Sequence, residues 1–380
     1  DFRDGALGVA KAATPDGTRR YRERLAGRVS ATHFRSGPGG PTLASLGFGT
    51  YLGDPDDATD AAYGAALVAA VNLGTNVLDT AANYRAQRSE RVVGLALSAL
   101  IGAGELTRDE VVVCTKGGYL PFDGAYPADP GRWIYETYVK PGLLAPADIV
   151  GGGHSLAPRY LLHQIDRSRA NLRVDTIDLY YLHNPESQLA AVGRDEVFAR
   201  IGRAFAALER AVGAGKIGCY GLATWNAFRV APDAREYLAL ADLVALAERE
   251  IGPGHHFRAV QLPCNLAMTE AVTARHQPVG NRLGSLVEAA DHHGITVVAS
   301  ASLLQGKLTG PLPEVLGHAM EGCTTDPQRA IQFVRSTPGI TTALVGMRQG
   351  AHVEENLALA RLPPASRDAY LRLFTEEQTS

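Results

Sequence analysis

The sequence predicts a single (β/α)8 TIM barrel of the α/β class. Short apolar segments rich in Val, Ile and Leu alternate along the chain with longer segments of helical periodicity. Such uninterrupted apolar strands are typical of parallel sheets that are buried on both faces. The strand–helix unit repeats about eight times, which favours a closed barrel over an open, doubly wound sheet. No internal repeat, low-complexity tract or linker divides the 380 residues.

Composition and charge restrict the classes of function. The chain is 46% hydrophobic and 20% charged with a net charge of −3, so we expect a globular protein without a nucleic-acid surface. The longest apolar stretch, residues 65–71, is too short to cross a bilayer, so we expect no membrane contact. Four cysteines in a chain of this length do not make a disulfide framework, and we expect reduced thiols and a cytoplasmic location.

The N-terminal region differs from the rest of the chain. Residues 1–41 are rich in Arg, Gly and Pro, and we expect them to form an N-terminal extension, a solvated arm or a short surface helix. Residues 42–380 then form the barrel domain. The glycines from Gly47 onward nearly match a dinucleotide fingerprint, but the last one falls a position late at Gly53, so we reject a Rossmann fold.

The barrel elements follow in order from residue 46. The apolar runs predict eight strands at 46–50, 75–78, 111–115, 177–182, 216–222, 259–262, 296–299 and 342–345. Helical spacing predicts helices at 57–73, 89–100, 157–171, 197–212, 234–248, 281–293, 327–336, 351–360 and 366–377. Long loops follow strands 3, 6 and 7, the longest at residues 119–153, and long loops in compact domains are usually functional or mobile.

Ionisable residues stand at the ends of three neighbouring strands. Asp79 ends the second strand with Tyr84 just beyond it, Lys116 ends the third, and His183 ends the fourth. Because active sites of such barrels lie at the carboxyl ends of the strands, which are about 4.8 Å apart, we expect these four side chains to converge.

Together these groups suit the reduction of a carbonyl. A lysine beside a tyrosine stabilises the phenolate, so we expect Lys116 to lower the pKa of Tyr84 toward working pH, with Asp79 keeping the lysine charged. Tyr84 can then donate a proton to an oxygen that gains negative charge, while His183 hydrogen-bonds the same oxygen. Because no side chain donates hydride, a nicotinamide cofactor is implied.

The same residues carry a family resemblance. From about Leu46 to Ala360 the chain resembles the aldo-keto reductases, through Asp-Thr-Ala-x-x-Tyr at 79–84, Lys116, and Asp-Leu-Tyr-x-x-His at 178–183. The resemblance implies a catalytic tetrad of Asp79, Tyr84, Lys116 and His183, with Tyr84 as the general acid. It also implies NADPH as the cofactor, with NADH as the alternative.

Further positions resemble the cofactor site of that family. Gln261 is similar to the glutamine that binds the carboxamide, residues 303–310 to the pyrophosphate loop, and residues 345–356 to the segment that holds the adenosine. The implied cofactor-binding residues are Gly49, Thr50, Asp79, Thr224, Gln261, Ser300, Leu303, Gly306, Gly346, Arg348, His352, Glu355 and Asn356. Independently of the resemblance, Gly346 and Gly350 precede a helix whose first amides can bind a phosphate.

Four residues depart from the family pattern. Ala223-Thr224 stands in place of Ser-Asn, Ser300 in place of the aromatic residue that stacks on the nicotinamide, and His352 in place of an arginine. Preference for NADP over NAD therefore depends mainly on Arg348.

Aromatic residues after the strands are candidates for the substrate pocket. We assign substrate contacts to Tyr51, Tyr119, Trp133 and Trp225, with local packing as the alternative for each. The pairs His255-His256 and His292-His293 lack a carboxylate or cysteine at ligand spacing, so we expect surface histidines and no metal site.

The sequence thus predicts an NADPH-dependent aldo-keto reductase that acts on a small carbonyl, alcohol or sugar-like substrate. Two alternatives stay open. A non-redox enzyme of the same fold, such as a lyase, dehydratase or epimerase, would retain its cofactor through the cycle. A nicotinamide-binding regulatory subunit would sense the cofactor for a larger partner. The sequence does not specify the substrate or the oligomeric state.

Overall fold

A computed structural model describes residues 11–375 as a closed barrel of parallel strands. Two strands precede the barrel, β1 (Phe34–Ser36) and β2 (Thr42–Ala44), and two lie outside it, β9 (Gln277–Val279) and β10 (Arg282–Gly284). The barrel strands are β3 (Leu46–Gly49), β4 (Val77–Asp79), β5 (Val112–Gly117), β6 (Ile177–His183), β7 (Ile217–Ala223), β8 (Phe257–Pro263), β11 (Thr296–Ser300) and β12 (Ile340–Gly346). They close in the order β11-β12-β3-β4-β5-β6-β7-β8, which confirms the predicted fold class.

Helices alternate with these strands. They are α1 (Pro15–Arg24), α2 (Asp57–Leu73), α3 (Arg88–Gly102), α4 (Pro130–Ile134), α5 (Pro158–Leu172), α6 (Arg194–Gly213), α7 (Leu240–Glu250), α8 (Glu270–Thr273), α9 (Leu286–His293), α10 (Glu314–Ala319), α11 (Asp326–Ser336), α12 (Gly350–Leu357) and α13 (Arg367–Arg372). Helix α2 shows why helix boundaries could be predicted from the sequence. The Asp56 side chain caps its first turn by accepting from the amide of Thr59 at 2.7 Å, and Gly74, at φ 120°, ends it.

The alternation of side chains along the strands separates two apolar layers. Inward-pointing side chains of the barrel strands form one cluster with Leu43 of β2, and its barrel members are Val77, Val112, Cys114, Leu179, Tyr181, Ala223, Ala259, Val298 and Leu344. The other strand positions pack outward against the helices in a larger cluster that includes Phe48, Leu78, Val113, Tyr180 and Leu222. Because side chains alternate with a period of two, this register fixes which residues reach the carboxyl end of the barrel.

The N-terminal segment packs against the base of the barrel. Helix α1 is a short surface helix, as one of the two expectations had it, with exposed arginines and with Tyr21 buried. The Tyr21 hydroxyl donates to the carbonyls of Val71 at 2.5 Å and Thr75 at 3.0 Å. Strands β1 and β2 pair across residue 41, so the division of the chain at that position stays a prediction.

Two predicted helices begin later than expected. Residues 282–284 of the predicted 281–293 helix form β10 instead, and α9 begins after Ser285, which makes a reciprocal capping box with Glu288. Residues 234–236 form a bend and a turn, residues 237–239 have no regular structure, and α7 begins at Leu240, whose amide donates to the Gln277 side chain at 2.9 Å. In both places the helical spacing was right, but a cap or a long-range hydrogen bond set the start. The predicted last helix extends past residue 375, outside the described residues.

Long connections follow the third, sixth and seventh barrel strands, as predicted. The longest, residues 118–157, is called the insertion below; it contains α4 and a π-helical turn, Tyr135–Val139. None of the helices within residues 11–375 combines the length and the apolar character that a bilayer crossing needs.

Candidate active site

Three of the four candidate catalytic residues point into the barrel at its carboxyl end. Asp79 lies two residues after Val77, Lys116 two after Cys114, and His183 two after Tyr181, each on the inward-facing register of its strand. Asp79 is the register partner of Cys114, and Lys116 is the register partner of Tyr181, so from strand to strand each side chain lies two residues farther along, and the three form a stepped, inward-facing layer. The period of the strands therefore explains the convergence.

Asp79 and Lys116 form a buried ion pair, with the lysine only 1% exposed. The ammonium also donates to the carbonyl of Thr80 at 2.9 Å, and the amide of Gln261 donates to the other carboxylate oxygen of Asp79 at 2.9 Å. Burial lowers the pKa of Lys116, but the nearby carboxylate of Asp79 and the phenol of Tyr84 outweigh it, so the net pKa is raised. Lys116 is therefore a cation at neutral pH.

Tyr84 is held over this pair by an unusual turn. Its ring centroid lies 5.0 Å from the Lys116 ammonium. The three residues that follow, Arg85, Ala86 and Gln87, all have positive φ, between 50° and 69°. Non-glycine residues in this region store strain, which clusters at functional sites. Arg85 secures the turn by donating to the Asp54 carbonyl at 2.8 Å and to the Asp60 carboxylate.

The pKa of Tyr84 departs from the sequence-based prediction. Burial raises it, and this effect outweighs the lowering by the Lys116 ammonium, so the net pKa lies above the ordinary value for tyrosine. The expectation of a lowered pKa was wrong, because it counted the charge of the lysine and not the loss of water around the phenol. Tyr84 is thus protonated at neutral pH, which is the form a general acid requires.

His183 faces Tyr84 across the site. The two rings are 5.8 Å apart between centroids, and the ring of Tyr119 lies 5.0 Å from His183 on another side. Burial, followed by the charge of Lys116, lowers the pKa of His183 well below its ordinary value. The imidazole is therefore neutral, and its buried Nδ1 has no hydrogen-bond partner among the described residues. A neutral imidazole can donate one hydrogen bond to a ligand oxygen.

His154 was missed from the sequence. This buried side chain, near the end of the insertion, hydrogen-bonds the His183 carbonyl through Nε2 at 2.7 Å, and Gln188 through Nδ1 at 3.1 Å. It thereby joins the insertion to the strand end that carries His183. The three glycines before it, Gly151 to Gly153, marked a loop but gave no sign of this contact.

Besides His183, two further buried neutral histidines predict an acid-sensitive fold. Burial lowers the pKa of His154 to about 4 and that of His33 to about 3. Below pH about 6.5 the unfolded chain takes up protons that the folded chain excludes, so stability present above that pH is lost as the pH falls toward 4. For His154 the full loss corresponds to about 3 kcal/mol.

We expect the midpoint of urea unfolding to fall between pH 6.5 and 5, above the range in which most carboxylates titrate. His154→Gln should flatten this slope, whereas His318→Gln, at an exposed site, should leave it unchanged. An equal slope in all three proteins would contradict the assignment.

A cavity of about 610 Å³ opens above this layer. Many of the predicted site residues line it: Gly49, Thr50, Tyr51, Asp79, Tyr84, Tyr119, His183, Thr224, Trp225, Gln261, Ser300, Leu303, Gly306, Gly346, Arg348 and His352. It runs from Tyr84 past the end of β11 to the start of α12. The cavity therefore connects the candidate catalytic residues with residues 345–356, the segment predicted to hold the adenosine.

Four predicted residues do not line this cavity. Lys116 lies behind Asp79, and Trp133 packs edge-on against Phe122, with ring centroids 5.4 Å apart. Glu355 accepts a hydrogen bond from Thr325 at 2.6 Å, and Asn356 is buried with its side-chain oxygen unpartnered among the described residues. The cavity also has lining residues that the sequence analysis did not single out, among them Asn83 and Asn184.

Glu186 is another residue that sequence reasoning missed. It is buried, and one carboxylate oxygen accepts from the backbone amides of Trp225 at 2.7 Å and Asn226 at 3.1 Å. Burial raises its pKa, and these backbone hydrogen bonds oppose that effect. Glu186 thus holds the loop after β7, and with it Thr224 and Trp225, at the rim of the cavity.

Comparison with known proteins identifies the family. Residues 45–312 match the sequence model of the Aldo/keto reductase family. The chain belongs to this family. A D-threo-aldose 1-dehydrogenase from Pseudomonas sp. is 25% identical over 345 residues, covering 88% of this chain and 94% of that protein. A horse aldo-keto reductase family 1 member C23-like protein is 24% identical over 146 residues, 38% of this chain and 33% of that protein.

Solved structures share the fold of this aldo-keto reductase. One from Bacillus halodurans, in its holo form, superimposes with a TM-score of 0.60 at 19% identity, covering 90% of this chain and 96% of that one. One from Klebsiella pneumoniae, in complex with NADP and acetate, gives a TM-score of 0.60 at 21% identity, covering 91% of this chain and 95% of that one.

The structure shows no metal-binding cluster at His255-His256 or His292-His293. Within residues 11–375, no group of three or more His, Cys, Asp or Glu is arranged to hold a metal ion. His255 is buried, which corrects the expectation of a surface residue. His256 instead pairs through Nδ1 with the Glu209 carboxylate at 2.9 Å.

Proposed function

We propose that this aldo-keto reductase interconverts a carbonyl and an alcohol with NADP(H), and that Tyr84 is its general acid and base. The observation that carries the proposal is the buried Asp79–Lys116 pair beneath a protonated Tyr84 and opposite a neutral His183, at the floor of one cavity. Bound in that cavity, a nicotinamide supplies or accepts the hydride.

Each residue has a distinct task in the reductive direction. Tyr84 donates its phenolic proton to the carbonyl oxygen of the substrate. Lys116 stabilises the phenolate that remains, since its ammonium lies near the ring and stays charged through Asp79. His183, neutral and facing Tyr84, donates a hydrogen bond to the same oxygen and positions it for the proton. In the oxidative direction Tyr84 takes the proton back.

Unpartnered polar groups along the cavity fit a dinucleotide. The hydroxyl of Thr224 is buried without a hydrogen-bond partner among the described residues, and it lines the cavity together with Gln261. An unpartnered buried polar atom is costly, so a ligand amide at this point would satisfy it. Thr224 and Gln261 are therefore suited to hold the carboxamide, and Thr224 takes the place of the Asn side chain that the family pattern has there.

The far end of the cavity fits the phosphates. Helix α12 begins at Gly350, and the free amides of its first turn carry partial positive charge. The exposed Arg348 lies beside them, and a side-chain carbon at Gly53 would stand only 2.9 Å from its Nη1. Gly53, at φ 110°, thus leaves room for the guanidinium. Arg348 is suited to bind the 2′-phosphate that distinguishes NADP from NAD.

We infer a small carbonyl or alcohol, sugars included, as the substrate class, and the Pseudomonas relative named as an aldose dehydrogenase supports the sugar option. Ala223 lacks the hydroxyl and Ser300 lacks the aromatic ring that the family pattern places against a nicotinamide, so both would offer a bound nicotinamide fewer contacts. They favour the non-redox alternative, in which the cofactor is bound but not consumed.

Arg348→Ala tests both the cofactor and the reaction. We expect the wild type to oxidise NADPH with an aldehyde or sugar, and Arg348→Ala to raise KM for NADPH about tenfold with KM for NADH unchanged, since it removes one charge-assisted contact to phosphate. Initial rates with each nucleotide check this, with Arg361→Ala, another exposed C-terminal arginine, as the matched control. Equal effects on both nucleotides would contradict the role of Arg348. Tight NADPH binding without net redox change would favour the non-redox enzyme.

A further inference from the structure

A second cavity, of about 520 Å³, lies beside Tyr84 under the insertion, and we call it the side lobe. It shares five lining residues with the main cavity: Tyr51, Leu52, Asn83, Tyr84 and Tyr119. A molecule whose reacting oxygen meets Tyr84 can therefore extend into the side lobe. The dinucleotide proposed above accounts for the main cavity toward α12, and it leaves the side lobe unassigned.

Two side chains that line the side lobe each carry a buried polar atom without a hydrogen-bond partner among residues 11–375. These atoms are Oδ1 of Asn83 and Nη1 of Arg85. The first is an acceptor and the second is a donor. Because a buried polar atom is costly until it is paired, each of them favours a ligand group of the opposite kind in the lobe.

The rest of the Arg85 guanidinium is already engaged. Nε donates to the Asp54 carbonyl at 2.8 Å, and Nη2 donates to the Asp56 carbonyl at 3.2 Å and pairs with the Asp60 carboxylate. The side chain is 2% exposed, so these contacts hold it in place. Since Asp60 supplies its counter-ion, the remaining Nη1 is suited to a neutral oxygen and does not require an anion.

Asn83 lies next to the reacting group. It directly precedes Tyr84 in the chain and lines both cavities, so its amide meets substrate atoms close to the carbonyl. Tyr119, which also lines both cavities, accepts a hydrogen bond from the Asn184 amide at 3.1 Å. That bond uses an acceptor site of the hydroxyl and leaves its proton for a ligand. The wall beside Tyr84 therefore offers both donors and acceptors.

Hydroxyl groups match this pattern better than the other common substrate groups. A hydroxyl both donates and accepts, so a hydroxylated chain can serve the oxygen of Asn83 and the nitrogen of Arg85 at once. A carboxylate would pair with Arg85, but it has no proton for the Asn83 oxygen. An apolar group would cover both atoms and leave them unpaired.

We propose that the side lobe binds the hydroxyls of a polyhydroxylated substrate, with Asn83 accepting from one hydroxyl and Arg85 donating to another. The two residues thereby select such substrates over plain aldehydes. The inference rests on the proposed function, because it places the reacting carbonyl at Tyr84. Arg85 then has two tasks, since it also secures the strained turn that follows Tyr84.

Asn83→Leu tests the acceptor with a matched pair of substrates. Tetroses and butanal have the same carbon chain and the same reacting aldehyde, and they differ in their hydroxyls. We expect Asn83→Leu to lower kcat/KM for tetroses, relative to butanal, about tenfold, because leucine is of similar size and cannot accept a hydrogen bond. Each rate is expressed relative to the wild type, so the open-chain fraction of the sugar, a property of the solution, cancels.

Arg85→Lys and Arg88→Lys form a matched pair for the donor. Both arginines pair with Asp60, but Arg88 is not among the described residues that line the side lobe. Lysine keeps the charge, but its single ammonium cannot retain the contacts of Nε and Nη2 and also replace Nη1. We expect the ratio of kcat/KM for tetroses to that for butanal to fall about fivefold in Arg85→Lys and to stay unchanged in Arg88→Lys.

A binding measurement separates this inference from the proposed reaction. Titration of 2,3,4-trihydroxybutanamide and butanamide into the protein with NADPH, followed by ligand-observed NMR, needs no turnover. Preferential binding of the trihydroxy compound, weakened in Asn83→Leu, supports the side lobe even if neither aldehyde is reduced. The proposal is overturned if the two amides bind equally to the wild type. It is also overturned if Asn83→Leu affects tetroses and butanal alike, which would mean that the substitution acts through Tyr84. Unchanged rates with tetroses would mean that bound water satisfies the two atoms, and this result overturns it as well.

Discussion

Tyr84→Phe is expected to lower kcat for carbonyl reduction by about 10³-fold while the Kd for NADPH changes less than about twofold. The variant keeps the ring that packs edge-on against Tyr51 and His183, and it removes only the hydroxyl. The neutral imidazole of His183 still donates a hydrogen bond to the proposed oxygen position, but its N–H is a much weaker acid than a phenol, so the chemical step loses its general acid. Single-turnover rates and fluorescence titration of NADPH measure the two effects separately.

Tyr51→Phe is the control for this experiment. Tyr51 lines the same cavity with its ring centroid 5.0 Å from that of Tyr84, yet it is more than half exposed and has no lysine beside it. Loss of activity confined to Tyr84→Phe assigns the proton to Tyr84. Comparable losses in the two variants would mean that a hydroxyl is needed for binding and that the acid lies elsewhere.

The pKa of Tyr84 gives the same experiment a pH dependence. Because burial raises this pKa above the ordinary value, reduction by the wild type should not decline through neutral and mildly alkaline pH. A decline that begins near neutrality would mean that the pKa of Tyr84 in the protein with bound ligands lies far below its pKa in the ligand-free protein. Such a decline would require the bound ligands to reverse the effect of burial.

The sequence predicted the fold because its signals were local and repeated. Apolar runs at a regular interval indicate a parallel barrel, and the helix starts that were right, such as that of α2, have their cap residue beside them in the chain. The start of α7 could not be predicted, since it depends on a hydrogen bond from Leu240 to Gln277, which lies far along the chain. Contacts of that kind leave no periodic signature.

The residues of the candidate site also differ in whether local sequence signals could predict them. Asp79, Lys116 and His183 were predictable because strand ends of a barrel must converge, whatever the loops do. His154 and Glu186 were not, because each acts on a backbone group of a different loop, the carbonyl of His183 and the amides of Trp225 and Asn226. The sequence also could not predict the direction in which the pKa of Tyr84 is shifted. It depends on how completely the surrounding loops exclude water, and residue types alone do not reveal that.

Lys116→Met is expected to destabilise the fold by about 3–5 kcal/mol and to abolish turnover, the second large effect of a single substitution. Asp79 is 4% exposed, so removal of the lysine leaves a buried carboxylate without its counter-ion. Urea unfolding measures the loss. Lys140→Met is the matched control, because Lys140 pairs with Glu136 at 2.6 Å on the surface, where such pairs contribute only about 0–1 kcal/mol.

The double variant Asp79→Asn, Lys116→Met separates stability from chemistry. With both charges gone, no uncompensated ion remains, and much of the lost stability should return, since apolar replacement of buried ion pairs is often neutral. Activity should stay absent, because nothing then stabilises the phenolate of Tyr84. A double variant as unstable as Lys116→Met alone would mean that the pair is needed for packing of the barrel end. Recovered stability without activity would mean that the chain retains two buried charges for the reaction and not for the fold.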